Sequence, residues 1–267
     1  MHKRDLSINF LNFQCENPFF LAASPVARTS EMIMRAFEMG WGGAVSKSIS
    51  LDQDTHDHGL SPRFTGISNS GSAEPLWHRL FGLSNIDFRI DNSVEATFKD
   101  LSLIKKRYPH KFFAISLKGQ FLKEEWEKLA ELASDTGADA IELCLSCPDE
   151  PSGTGTCCGS IGQNPEGIQQ VISWVKGVSS LPVLVKLTSH VQSISLIGLA
   201  VQEGGGNGIS AVNSFKGLAG IDLETLEPLP TIEGISTSPG ITGGLIKPLA
   251  QYCVYELCKS KEITIPV

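Results

Sequence analysis

Short apolar runs alternate with stretches of helical periodicity along the chain, and this alternation restricts the fold more than any other feature. Asn17-Pro18 leads into FFLAAS, a short buried strand, and GGAVSKS (42–48) reads as a second. FFAISL (112–117), AIELCLS (140–146), PVLVKLT (182–188) and NGISAVNS (207–214) follow as strands three to six. Between them lie EMIMRAFEMG with Gly40 as its stop, VEATFKDLSLIKKR, KEEWEKLAELASDTGA, a helix opening at Asn164-Pro165-Glu166, and SISLIGLAVQEGG. GLIKPLAQYCVYELCKS is a further helix, and ITIPV starts a seventh strand. Residues 49–90 are polar and poorly periodic, and read as a long loop or excursion within a single domain over 1–267.

Strands that alternate with helices form a parallel sheet covered by those helices. The sheet is either open and doubly wound or closed as a (β/α)8 barrel. No GxGxxG follows the first strand, and GGGNG (204–208) stands before strand six, the wrong place for a dinucleotide turn. Lys47, Cys147, Lys186 and Asn213 each fall at or just past the end of a different strand. On a barrel that rim brings side chains from separate strands to one site, so the expectation is a (β/α)8 TIM barrel. A barrel closes when its last strand pairs with its first. With a chain stopping inside strand seven, the expected barrel is incomplete, or a partner chain completes it.

Composition narrows the function. The 267 residues are 41% hydrophobic and carry a net charge of −7, which excludes the basic face of a non-specific nucleic-acid binder. No run approaches the ~18 apolar residues of a membrane span, and MHKRDLSINF lacks the apolar core of a signal peptide. Seven unevenly spaced cysteines do not form a secreted disulfide framework, so a cytoplasmic location is expected.

Lys47 and Lys186 read either as rim lysines in ordinary ion pairs or as paired ammonium groups facing an anionic or electron-rich ligand, such as a phosphate or a reduced flavin. Cys147, in Leu145-Ser146-Cys147-Pro148, is either a buried filler or an acid/base thiol heading a glycine-rich loop; a thiol pKa of ~8.5 suits proton transfer. Cys144-x-x-Cys147 with Cys157-Cys158 is poor geometry for a tetrahedral metal, so no metal site is expected. Asn85, Asp87, Asn213 and Ser214 are ordinary loop residues one by one, but together offer donors and acceptors for a planar, amide-rich ring.

The blocks NPFFLAASPVARTSEM, AFEMGWGGAVSKSISLD, SPRF, GADAIELCLSCP, GQNPE, LVKLT, GGGNGISAVNS and GITGGLIKPLA, in this order, resemble the FMN-containing catalytic domain of dihydropyrimidine dehydrogenases, cousins of dihydroorotate dehydrogenase. The resemblance implies a barrel with FMN at its C-terminal mouth and oxidoreduction of the C5–C6 bond of uracil or thymine in pyrimidine catabolism. It implies Cys147 as the acid/base residue. Ala23, Lys47, Ser48, Lys186 and Gly243 match cofactor positions. Asn85, Asp87, Cys144, Leu145, Ser146, Asn213 and Ser214 match pyrimidine-holding positions. Iron–sulfur clusters and NAD(P)H would be reached only through an electron-transfer partner subunit, and a homo-oligomer is compatible with the sequence. Two departures stand out: Cys144 replaces the family's asparagine, and Asp87 stands where glutamate is common. The alternatives are a dihydroorotate dehydrogenase-type oxidoreductase and a truncated, catalytically inactive fragment.

Overall fold

The computed structural model describes residues 5–51, 63–68, 80–86, 93–146, 158–231 and 240–267. Six parallel strands make the central sheet: β3 (Phe20–Leu21), β4 (Gly43–Val45), β7 (Phe112–Leu117), β8 (Ala140–Cys144), β9 (Val183–Lys186) and β10 (Gly208–Ser210). Each neighbour in the sheet is the next of these strands along the chain. A doubly wound sheet would reverse its order at a switch point; this sheet never does, so it follows the winding of a barrel. The C-terminal segment lies on the far flank of β10, where the Ile209 N–H donates to the Pro266 carbonyl at 2.9 Å. The expected seventh strand is not formed as a regular strand: residues 263–267 run irregularly beside β10.

The helices follow from local signals. α1 (Ser30–Glu38) is capped by Thr29, whose Oγ1 accepts the Met32 N–H at 3.3 Å, and Gly40 beyond its end adopts φ +95°. Ser30, one residue on, instead binds Asp100 on α2 (Val94–Arg107). α3 (Lys123–Ser134) buries Trp126 and Leu129. After the short α4 (Cys158–Ile161), Asn164 caps α5 (Pro165–Val178) by accepting the Glu166 and Gly167 N–H groups. α6 (Ile194–Glu203) and α7 (Lys247–Lys259) complete the helical layer.

Side chains alternate across each strand. Phe113, Ile115, Ile141, Leu143, Val183 and Val185 face the helices and form the large core with Leu101, Trp126, Val171 and Val201. Val45, Phe112, Ala114, Ala140 and Leu184 face the other way, into the barrel. At its N-terminal end the barrel is plugged by a hairpin of β1 (Ile8–Phe10) and β2 (Phe13–Cys15). Phe10 and Phe13 meet Phe112 edge to face, and Phe20 stacks on it at 5.2 Å. Leu11 and Asn12 turn this hairpin with φ of 50° and 65°; without a glycine there, the sequence gives little sign of the turn.

A second sheet is built from two irregular stretches. β5 (Arg63–Ser68) and β6 (Leu80–Ile86) pair antiparallel, and β14 (Gly240–Thr242) and β11 (Phe215–Lys216) extend them in the order β11-β14-β6-β5. β12 (Gly220–Ile221) and β13 (Pro228–Leu229) form a separate hairpin. The excursion at 49–90 is thus partly a β-hairpin, not a loop throughout. Its strands are short and interrupted by glycine, and they gain a partner more than 150 residues away, which no local periodicity announces.

Candidate active site at the barrel mouth

The barrel interior changes character along its axis. The layer of Val45, Ala114, Ala140 and Leu184 is apolar. One step toward the C-terminal ends stand Ser116, Glu142 and Lys186, at 0%, 2% and 7% exposure. Register produces this layer: Ser116 pairs with Glu142, and Lys186 stands opposite Cys144 on one side and Ser210 on the other.

These groups are bonded in a chain. Lys186 Nζ lies 3.0 Å from Glu142 Oε1, and the Ser116 hydroxyl reaches the same oxygen at 3.1 Å. Ser48 Oγ and Ser116 Oγ are 2.8 Å apart. Ser116 has one hydroxyl proton and gives it to the carboxylate, so Ser48 is the donor in that second bond. The backbone N–H of Ser116 donates to Ser46 Oγ at 3.1 Å. Lys47, between Ser46 and Ser48 in the chain, is buried, at 8% exposure, and its N–H donates to the Ala27 carbonyl at 2.8 Å. A buried charge is tolerated only when paired and hydrogen-bonded, and Lys186 meets that condition through Glu142.

The other expected residues fall as follows. Asn213 Nδ2 donates to the Ser146 carbonyl at 3.3 Å and the Asn213 N–H to the Leu187 carbonyl at 3.0 Å, tying three strand ends together. Cys144 is buried with Lys186 opposite, its Sγ 3.7 Å from Ser146 Oγ. Leu145 differs: its side chain packs in the helix-facing core, so only its backbone is turned to the mouth. Asn85 pairs with Gly240 in the second sheet. A Cβ on Gly240 would lie 2.5 Å from Ser214 Oγ and 3.3 Å from Asn85 Oδ1, so these two polar groups converge on one spot. Gly243 adopts φ +83°, and a Cβ there would sit 3.2 Å from Gly82 Cα, a close approach that glycine permits. Ala23 is half-buried beyond β3, against the interior cluster. Cys147 and Asp87 lie outside the described residues.

Glu142 is the site residue the sequence reading missed. Its signal was present: an acidic residue inside AIELC, a strand buried at every position, needs a cationic partner.

The strand ends thus carry the Lys186 ammonium, the Ser48 and Ser116 hydroxyls and the Asn213 amide, with Lys47 buried between Ser46 and Ser48 in the chain. This donor set suits a large planar cofactor with an electron-rich edge and an anionic tail. Among the described residues, no group of three or more His, Cys, Asp or Glu side chains could hold a metal ion, and no helix is long and apolar enough to cross a membrane.

The family model "Dihydroorotate dehydrogenase" matches residues 5–267. The chain is 33% identical over 264 residues to the NAD-dependent dihydropyrimidine dehydrogenase subunit PreA of Escherichia coli K12, covering 98% of this chain and 61% of that protein. It is 29% identical to the chloroplastic dihydropyrimidine dehydrogenase (NADP(+)) of Arabidopsis thaliana, covering 96% of this chain and 59% of that protein. It therefore spans about three fifths of the length of these two relatives. The catalytic subunit of dihydroorotate dehydrogenase B (NAD(+)) from Pyrococcus horikoshii is 34% identical, covering 99% of this chain and 78% of that protein. The dihydroorotate dehydrogenase of Eimeria tenella, solved with ferulenol, shares the fold with a TM-score of 0.72 at 14% identity, covering 96% of this chain and 70% of that one. The chain belongs to the dihydroorotate dehydrogenase family.

Proposed function

We propose that this chain is an FMN-dependent oxidoreductase acting on the C5–C6 bond of a pyrimidine, interconverting uracil or thymine and the 5,6-dihydropyrimidine. What supports the reading is the bonded polar layer at the strand ends, where Lys186, Glu142, Ser116 and Ser48 connect and Asn213 ties to Ser146 beside them. Bound FMN supplies the hydride chemistry at ring carbon C6. Lys47 and Lys186 hold the electron-rich edge of the cofactor and stabilise negative charge there, because fixed charges in a water-poor site act strongly. Gly243 and Ala23 let backbone approach it, and Ser48 adds a hydroxyl. Asn85, Asp87, Asn213 and Ser214, with Cys144, Leu145 and Ser146, orient the pyrimidine, and the Cys147 thiol moves the proton at C5. Iron–sulfur centres and NAD(P)H belong to an electron-transfer partner; the name of the E. coli relative, a subunit, supports this.

A second reading, oxidation of dihydroorotate, is favoured by the 34% identity to the P. horikoshii catalytic subunit. The two separate in one assay: protein loaded with FMN is given dihydrouracil or dihydroorotate with an artificial electron acceptor. Faster turnover of dihydrouracil, lost in Cys147→Ala, supports the proposal. Preference for dihydroorotate supports the second reading. No turnover of either by FMN-loaded protein supports an inactive chain.

A further inference from the structure

Glu142 has no role in the reading above, yet it is the most buried charged group at the mouth, at 2% exposure. Its Oε1 receives both the Ser116 hydroxyl and the Lys186 ammonium, at 3.1 and 3.0 Å. Ser116 is itself fixed by Ser48 and Ser46. The carboxylate is therefore clamped by Ser116 and presents a fixed negative charge to Lys186 through the same oxygen. Unlike a solvent-exposed pair, this one is little screened by salt.

We infer that Glu142 is a positioning residue: clamped by Ser116, it fixes Lys186 Nζ at the mouth and offsets part of its positive charge toward the cofactor. Lys186 with Glu142 in place is a weaker electrostatic anchor for a reduced flavin than Lys186 alone would be, and Glu142 thereby sets the reduction potential of the site. The inference rests on the flavin reading.

The test is a double-mutant cycle on the full chain, with Glu142→Gln, Lys186→Met and the pair combined. In Glu142→Gln the amide keeps the shape but drops the charge. Binding of reduced relative to oxidised FMN then strengthens about tenfold, equal to about 1.4 kcal/mol, and the midpoint potential of bound FMN, followed by spectroelectrochemistry, rises. Ser116→Ala, which alters the clamp but not the charge, shifts it less. In the Lys186→Met background, Glu142→Gln shifts the potential less, because the part of its effect that passes through Lys186 is gone. An unchanged or lower potential in Glu142→Gln overturns the inference, as does a shift of equal size in the Lys186→Met background. Should Glu142→Gln not fold, Ser116→Ala decides, since it loosens the carboxylate without removing a charge: a potential of bound FMN unchanged from wild type in Ser116→Ala then overturns the inference. Wild-type protein that takes up no FMN overturns the flavin reading itself, whereas FMN uptake with an unmoved potential overturns this inference alone.

Discussion

Gly162, in the block GQNPE, is where the fold and the site depend most directly on one missing methyl group. A Cβ at Gly162 would stand 2.8 Å from the Leu145 carbonyl carbon and 3.3 Å from Leu145 Cβ, and closer still to the carbonyl oxygen. Carbon atoms in contact prefer about 3.5–4.0 Å, so relief requires a movement on the order of 1 Å. The obstacle is backbone, which cannot rotate away as a side-chain tip can. We therefore expect Gly162→Ala to cost the upper part of the ~1–3 kcal/mol usual for overpacking, lowering Tm by roughly 6–12 °C for a chain of this size. The displaced segment carries the Ser146 carbonyl that Asn213 binds and, two residues from Leu145, the Cys147 thiol. A misplacement of about 1 Å at such a site costs on the order of 100-fold in turnover. Gly177→Ala is the matched control: it lies in α5 with nothing within 4 Å of the added methyl, and should gain roughly 0.5–1 kcal/mol. Thermal unfolding and FMN-loaded turnover of both variants are the assay. If Gly162→Ala unfolds at or above the wild-type temperature with turnover intact, the packing argument fails.

Three further outcomes follow. Burial holds the Asp139 carboxyl above the usual aspartate range, outweighing the Lys105 ammonium 2.7 Å away and the Phe113 N–H. A carboxyl whose folded pKa exceeds its unfolded one stabilises fully below the unfolded value and loses that contribution as pH rises through the folded one. The stability of wild type relative to Asp139→Asn should thus decline from about pH 4 upward; denaturant titrations showing an advantage that grows with pH would contradict this. Cys15, Cys144 and Cys253 are buried and Cys258 is exposed, and burial raises the thiol pKa of Cys15 and Cys253. A bulky thiol reagent should label Cys258 in the native protein and leave Cys15, Cys144 and Cys253 until unfolding, as peptide mapping would reveal; early modification of Cys144 would show an open mouth. Gly240→Ala should push Ser214 and Asn85 apart and raise KM more than it lowers kcat, whereas an unchanged KM would remove those residues from the substrate site.

The parallel strands were legible because each is a short apolar run between helices with clear boundaries. Asn164-Pro165-Glu166 opens α5 as its residue types require. Lys47 and Lys186 could be placed at the rim because a polar residue ending an apolar strand has nowhere else to go. The second sheet was not legible, since Leu80–Ile86 finds its partner at Gly240–Thr242 and local pattern carries no trace of that pairing. Nor was the hairpin turn at Leu11-Asn12, which takes left-handed backbone without glycine. Strand alternation puts Leu143 and Leu145 on the helix side and Glu142 and Cys144 inside, so at Leu145 the backbone is what remains for a ligand at the mouth, and the same alternation points to Glu142.

The central claim is that lysines from separate strands share one cofactor at the barrel mouth. Equilibrium titration of the purified chain with FMN, followed by quenching of flavin fluorescence, tests it most directly. The account predicts saturation at one FMN per chain, with binding weakened at least about tenfold when Lys47 or Lys186 is replaced by Met, a loss of about 1.4 kcal/mol or more. Full flavin fluorescence at every protein concentration, or binding indifferent to both substitutions, would contradict it.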